Sequence, residues 1–270
     1  MPTETDAYLF DLRGYLMLEG AVGEKHLAEL NAIIDTHGDM EPGEWRGWVT
    51  RPPTTGTVRY HQIFEMGEPF ERLIDHPSWI EHINRFVGGD DGLSIDESFA
   101  DLRGKGGEIR LHSGAHKRRI RTQFRYHNNQ FRCGIINILL ALTEVGPGDG
   151  GTMMIPGSHK SNIIHPAFDA GQGTRNMEDV EGACEVHFKA GDALLFVDCL
   201  AHGSAKRIND GERRILIIRY GPHWGFDRYG YQPSPELISR LAPERRKILQ
   251  PLPPIVPPGQ PSIYAPETAY

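Results

Sequence analysis

The chain has 270 residues, 39% hydrophobic and 24% charged, which is typical of a single globular domain. No apolar stretch approaches the ~20 residues of a membrane helix, and no basic segment followed by an apolar core begins the chain, so neither a membrane anchor nor a secretory signal is expected. The net charge of −7 disfavours a nucleic-acid polymer as partner, and three cysteines without metal-type spacing suggest reduced thiols in a cytoplasm.

The first hundred residues predict a strand, two helices and a long loop. Residues 8–18 are apolar enough for a strand that is interrupted by a glycine. Residues 23–34 place their apolar side chains at the helical period, and residues 78–87 predict a second helix. Residues 38–60 are rich in Gly, Pro, Trp and Arg, which indicates a long loop positioned as a lid.

From about residue 107 onward, short β-rich runs alternate with turns. The runs are 108–112, 124–127, 134–142, 151–155, 184–188, 193–197 and 213–220. Many short strands without alternating helices predict a mainly β fold with peripheral α, a sandwich or jelly roll, rather than a parallel α/β sheet. We expect one domain over 1–270, with a strand–helix and lid region at 1–106, a β core at 107–222 and a proline-rich tail at 250–270.

Two histidines, ninety residues apart, each border a predicted strand. His112 ends one strand within Ile109–Ala115, and His202 begins another within Leu200–Ser204. This arrangement suits a non-haem iron site in a β-barrel, where the usual ligands are two histidines and one Asp or Glu. The residue two positions after His112 is Gly114, where the carboxylate would be expected.

Three further motifs carry a resemblance to a known family. They are the opening Phe10–Ile34, the segment Leu140–Lys160 with its Pro-Gly-Ser-His turn, and the run from Ala190 through His202 to Arg213. Together they resemble the phytanoyl-CoA dioxygenase-like Fe(II)/2-oxoglutarate oxygenases. The resemblance implies a double-stranded β-helix with helices on one side, and it implies Fe(II), 2-oxoglutarate and O2 as cofactors.

The resemblance also assigns residues to the cofactors. His202 becomes the second metal ligand, and an arginine eleven residues on pairs with the distal carboxylate of 2-oxoglutarate. Strand periodicity does not choose between Arg213 and Arg214, but the offset favours Arg213. Ser204 and Asn137 are candidates for further contacts to 2-oxoglutarate, although a turn hydroxyl and a barrel-lining hydrogen bond explain these two residues equally well.

The first metal histidine has three candidates. His112 is favoured because its separation from His202 matches the family. His116 lies too far into a basic loop, and His127 lies closer to the Pro-Gly-Ser-His turn than the family pattern allows. His159, in that turn, is interpreted as structural.

Three explanations account for the absent carboxylate. The first is an inactive binding module, which the intact His202 and Arg213 argue against. The second is a carboxylate from Glu108 or Asp198, but each lies four residues before its histidine, roughly 13 Å along a regular strand. The third, which we favour, is that chloride occupies the position left open at Gly114. That pattern resembles the 2-oxoglutarate-dependent halogenases, and a hydroxylase is the main alternative.

A basic segment follows the first histidine directly. Residues 116–125 contain five Lys or Arg residues in an otherwise acidic chain. Because guanidinium groups bind phosphate bidentately, Arg118, Arg119 and Arg121 are candidates for binding a phosphorylated, nucleotide-like small substrate. The alternative interpretation is a solvated loop.

Overall fold

Two antiparallel β-sheets dominate the part of the chain that the computed structural model describes, which is residues 1–88, 92–112, 120–168, 176–223 and 233–249. The helices are α1 Glu4–Arg13, α2 Glu24–Asp35, α3 Glu68–Glu71, α4 Ile80–Val87, α5 Pro235–Arg240 and α6 Pro243–Leu249. None of the helices in these ranges is long and apolar enough to cross a membrane. The predictions on Gly114, Arg118, Arg119 and the tail 250–270 fall on residues outside this part.

Strands β1 to β4 lie among the helices α1 to α4 in the chain, and β5 to β14 follow them. They are β1 Tyr15–Leu18, β2 Trp45–Arg46, β3 Val49–Thr50, β4 Val58–His61, β5 Leu93–Arg103, β6 Ile109–His112, β7 Tyr126–His127, β8 Gln130–Phe131, β9 Ile136–Ala141, β10 Thr152–Met154, β11 Cys184–Val186, β12 Ala193–Val197, β13 His202–Ser204 and β14 Arg213–Pro222. The separate pair β7–β8 forms a small hairpin.

The strand order is that of a double-stranded β-helix. The larger sheet runs β1-β12-β9-β14-β5-β4-β3-β2, and the smaller runs β11-β10-β13-β6. Every residue of β9 and β12 is buried, because these strands contact the interior on one face and the helical layer on the other. The predicted mainly β fold with peripheral helices is therefore confirmed, as are the helices predicted at 23–34 and 78–87.

The strand predicted at 8–18 is wrong over its first half, where the chain forms α1. The Oγ1 of Thr3 accepts a hydrogen bond from the Asp6 amide, and the Asp6 carboxylate accepts one from the Thr3 amide, so the two residues form a capping box. Gly14 ends the helix with φ of +84°. These caps outweigh the apolar content of the segment, and only Tyr15–Leu18 is a strand.

Two boundaries of the predicted β region also shift. Residues 38–60, predicted as a long loop, contain β2, β3 and the start of β4, which extend the larger sheet. The β core begins at Leu93 rather than at 107, because β5 pairs with β14 along nearly its whole length. Strand β5 was not predicted from the sequence, because its buried positions include polar residues such as Asp101 and Arg103.

Candidate active site

The two predicted metal histidines face each other across neighbouring strands. Strands β6 and β13 are antiparallel, and their register places His112 directly opposite His202. The ring centroids lie 4.1 Å apart, with 55° between the ring planes. His202 is buried, whereas His112 is exposed at the end of β6.

Both imidazoles are held in the same way by the backbone. The Nδ1 atom of His112 lies 2.9 Å from the Arg110 carbonyl oxygen, and that of His202 lies 2.6 Å from the Leu200 carbonyl oxygen. A carbonyl oxygen only accepts hydrogen bonds, so each Nδ1 carries a proton, and in the neutral ring the lone pair is then on Nε2, an atom through which histidine binds metals. Burial, reinforced by the neighbouring His112, lowers the pKa of His202 to about 3, which keeps its ring neutral.

Both histidines line a cavity of ≈ 260 Å³ between the two sheets. Ser204 and Asn137 line the same cavity, as does Arg213. The structure therefore brings together both predicted metal ligands and all three residues predicted to bind 2-oxoglutarate.

A buried carboxylate surrounded by three arginines occupies one part of this cavity wall. Asp101 accepts hydrogen bonds from Arg213 Nη2 at 2.9 Å, from Arg59 Nε at 2.8 Å and from Arg103 Nη2 at 3.4 Å. Burial disfavours the charged carboxylate, but the arginines, Arg103 foremost, outweigh it and lower the pKa of Asp101 below 3.8. Three guanidinium groups and one carboxylate leave two positive charges uncompensated, which suits an anionic ligand.

Arg213 and Arg214 extend from opposite faces of β14. Arg213 is buried and donates through Nη1 to the Gly150 carbonyl, while its Nε is buried without a partner among the described residues. Burial, followed by the charge of Arg103, lowers the pKa of Arg213 to about 10. Arg214 instead pairs with Asp35 of α2 at 2.7 Å. Of the two arginines, only Arg213 lines the cavity.

Ser204 and Asn137 each connect the cavity to the surrounding polar network. The Ser204 Oγ accepts hydrogen bonds from Arg103 Nη1 at 2.6 Å and from the Ile109 amide at 3.0 Å. The Asn137 side chain donates to Asp198 at 3.2 Å and accepts from Arg219 Nε at 3.1 Å. Both residues thus have a structural role in addition to their place in the cavity wall.

Other candidates from the sequence lie away from the histidine pair. Arg121 is buried in a short 3₁₀ turn and does not line the cavity. His127 is exposed on the β7–β8 hairpin, and Glu108 and Asp198 also lie outside the lining. His159 is buried, with Nε2 3.0 Å from the Asp11 carbonyl, as expected for a structural residue. Within the described ranges, no group of three His, Cys, Asp or Glu side chains is able to hold a metal.

The sequence interpretation missed the polar face of β5 and its partners. Asp101 and Phe99 extend from β5, Arg59 from β4 and Arg219 from β14, and all four line the cavity. Strand β5 carries on one face, at every second position, the residues Glu97, Phe99, Asp101 and Arg103. This pattern was the signal that would have identified the wall.

Comparison with known proteins agrees with this geometry. The family model described as phytanoyl-CoA dioxygenase (PhyH) matches residues 10–215. The dioxygenase peniF of Penicillium patulum is 23% identical over 226 residues, which is 77% of this chain and 68% of that protein. The dioxygenase cdmA of Talaromyces verruculosus is 35% identical over 88 residues, 33% of this chain and only 27% of the relative's length.

Solved structures share the fold at low sequence identity. HygX from Streptomyces hygroscopicus, with nickel and 2-oxoglutarate bound, has a TM-score of 0.71 and 22% identity, covering 82% of this chain and 88% of HygX. The α-ketoglutarate-dependent epimerase SnoN, from nogalamycin biosynthesis, has a TM-score of 0.60 and 16% identity, covering 82% of this chain and 83% of SnoN. With the family model spanning most of the chain, this protein belongs to the phytanoyl-CoA dioxygenase family of Fe(II)/2-oxoglutarate-dependent oxygenases.

Proposed function

We propose that His112 and His202 bind Fe(II), that Arg213 binds the distal carboxylate of 2-oxoglutarate, and that the enzyme oxidises an unactivated C–H bond of a small molecule. The observation that carries the proposal is that the paired imidazoles and the Arg213 guanidinium line one cavity. Iron bound by the two histidines, together with 2-oxoglutarate and O2, would supply the oxidising chemistry that removes a hydrogen atom from an unactivated C–H bond.

The donor set fits these cofactors. Two imidazoles whose Nδ1 atoms are anchored by backbone carbonyls present Nε2 as the metal-binding atom, which is how histidine binds iron. The excess positive charge around Asp101 suits a dicarboxylate, and the Arg213 Nε is a buried donor that has no hydrogen-bond partner in the described part of the chain. HygX, which shares the fold, has been crystallised with nickel and 2-oxoglutarate.

Part of the cavity wall is apolar. Leu139, Phe196, Ile215 and Ile217 extend into it from β9, β12 and β14. Their apolar surface lowers the local dielectric, which strengthens the pairing of Arg213 with a bound carboxylate.

We further propose that the product is chlorinated. Support comes from the sequence, in which Gly114 occupies the place of the acid, so chloride would take the coordination position that a carboxylate normally fills. Hydroxylation is the second candidate, favoured by the relatives peniF and cdmA, which are both named dioxygenases.

The first experiment asks whether the protein turns over 2-oxoglutarate. The protein is reconstituted anaerobically with Fe(II) and 2-oxoglutarate, and O2 is then added. We expect succinate to form, because these oxygenases consume 2-oxoglutarate slowly even when their substrate is absent. Protein without iron is the control. If the chain neither binds 2-oxoglutarate nor forms succinate, the oxygenase proposal fails and a binding module remains.

The second experiment identifies the product. A small-molecule extract is incubated with the reconstituted protein in chloride, in bromide and in sulfate, and the products are compared by mass spectrometry. We expect products whose isotope pattern shows chlorine in the first mixture and bromine in the second. A hydroxylated product that is the same in all three salts would show that the reaction is hydroxylation and not chlorination.

A further inference from the structure

Two arginines from different strands lie against one aromatic ring in the cavity. The guanidinium carbon of Arg59 lies 5.4 Å from the Phe99 ring centroid, and that of Arg219 lies 5.6 Å from it. The ring is buried, and His61 stacks on it at 5.1 Å between centroids. Such contacts hold guanidinium groups in place without using their hydrogen-bond donors.

Several of those donors have no hydrogen-bond partner within the residues that the structure describes. Arg59 uses only Nε, which donates to Asp101, so its two Nη atoms have no hydrogen-bond partner among the described residues. Arg219 donates through Nε to Asn137 and through Nη1 to Glu97, and its Nη2 is without a partner in the same ranges. The two side chains are 29% and 18% exposed, so they are only partly shielded from water. Donors in such a position favour an anionic acceptor.

Arg219 is separate from the proposed 2-oxoglutarate clamp, whereas Arg59 shares the Asp101 carboxylate with Arg213. Arg219 follows Arg213 by six residues on β14, roughly 20 Å along a regular strand. The distal carboxylate of one 2-oxoglutarate molecule therefore does not reach both residues. After Arg213 has bound that carboxylate, Arg59 and Arg219 still present positive charge to the cavity, and their partners Asp101 and Glu97 neutralise it only in part.

We propose that Arg59 and Arg219, positioned on Phe99, form an oxyanion subsite that binds a carboxylate or phosphate group of the substrate. The proposal rests on the proposed function and assigns that site an anionic small-molecule substrate. It places the anion on the wall formed by β4, β5 and β14, not on the basic segment 116–125.

The test uses fragments that carry only the anionic group. Acetate and methyl phosphate are each titrated calorimetrically into anaerobic Fe(II)-loaded protein that is saturated with 2-oxoglutarate. We expect saturable binding of at least one fragment, weakened about tenfold or more in Arg59→Gln and in Arg219→Gln, because each change removes a charged donor. Preference for acetate or for methyl phosphate identifies the group that the substrate carries.

Two controls separate the possible outcomes. Arg214→Gln changes an arginine on the opposite face of β14 and is expected to leave fragment affinity unchanged. The affinity for 2-oxoglutarate, measured in the same proteins, is expected to change less than twofold in Arg219→Gln, because Arg219 pairs with Glu97 and not with Asp101. Binding of neither fragment, or equal binding in all variants, overturns the subsite while leaving the oxygenase proposal intact. Loss of 2-oxoglutarate binding in the unsubstituted protein would instead overturn the proposed function.

Discussion

Replacing His202 by alanine is expected to lower the affinity for Fe(II) by more than about 100-fold and to abolish succinate formation. Loss of a group that merely orients a metal ligand typically costs about 10- to 100-fold in affinity, so loss of a ligand costs more. His202 is suited to this role because it is buried, neutral and directly opposite His112. Metal content after dialysis against limiting Fe(II) measures the effect.

His127→Ala is the matched control for this substitution. His127 was a candidate ligand in the sequence, but it lies exposed on the β7–β8 hairpin and outside the cavity. Its replacement is expected to leave iron content and turnover near those of the unsubstituted protein. If His127→Ala lost iron while His202→Ala retained it, the assignment of the metal site would be wrong.

Replacing Arg213 by methionine is expected to weaken 2-oxoglutarate binding by about 30-fold to several thousand-fold, since removing one partner of a buried charge pair costs roughly 2–5 kcal/mol. The same change removes one of three arginines from Asp101. We therefore also expect the free energy of unfolding to fall by about 3 kcal/mol, the lower end of the usual cost, because Arg59 and Arg103 still compensate the carboxylate. Calorimetric titration and urea unfolding provide the two measurements.

Arg214→Met is the control on the same strand. Arg214 faces α2 and pairs with Asp35 and Glu212, whose side chains are partly exposed. Its loss is expected to leave 2-oxoglutarate affinity unchanged and to alter the free energy of unfolding by no more than about 1 kcal/mol. A large loss of 2-oxoglutarate affinity in Arg214→Met alone would reverse the choice between the two arginines.

The sequence pointed to residues that the structure brings together in one cavity, while their roles in binding stay predictions. His112 and His202 each border a short strand, and the eleven-residue offset selects Arg213 over Arg214, in agreement with the opposite orientations of the two side chains. The helical period likewise predicted α2 and α4. The helices depend on residues that are neighbours in the sequence, whereas the pairing of His112 with His202 was expected from the family resemblance.

The arginine cluster was not predictable in this way. Arg59 and Asp101 are 42 residues apart, and Arg213 and Asp101 are 112 residues apart, so their pairing depends on which strands become neighbours. Buried charged residues also made β5 look unlike an interior strand. Helix α1 was missed for a different reason, since its capping residue Thr3 precedes the segment that was interpreted as a strand.

The most direct test of the two-histidine site is X-ray absorption at the iron edge. The spectrum is recorded on the anaerobic protein with Fe(II) and 2-oxoglutarate, once in chloride and once in bromide, with Gly114→Asp as the comparison. We expect scattering from two imidazoles and one halide that changes from chlorine to bromine with the salt, and loss of the halide in Gly114→Asp. A spectrum that is identical in both salts, with only nitrogen and oxygen atoms around the iron, would contradict the account.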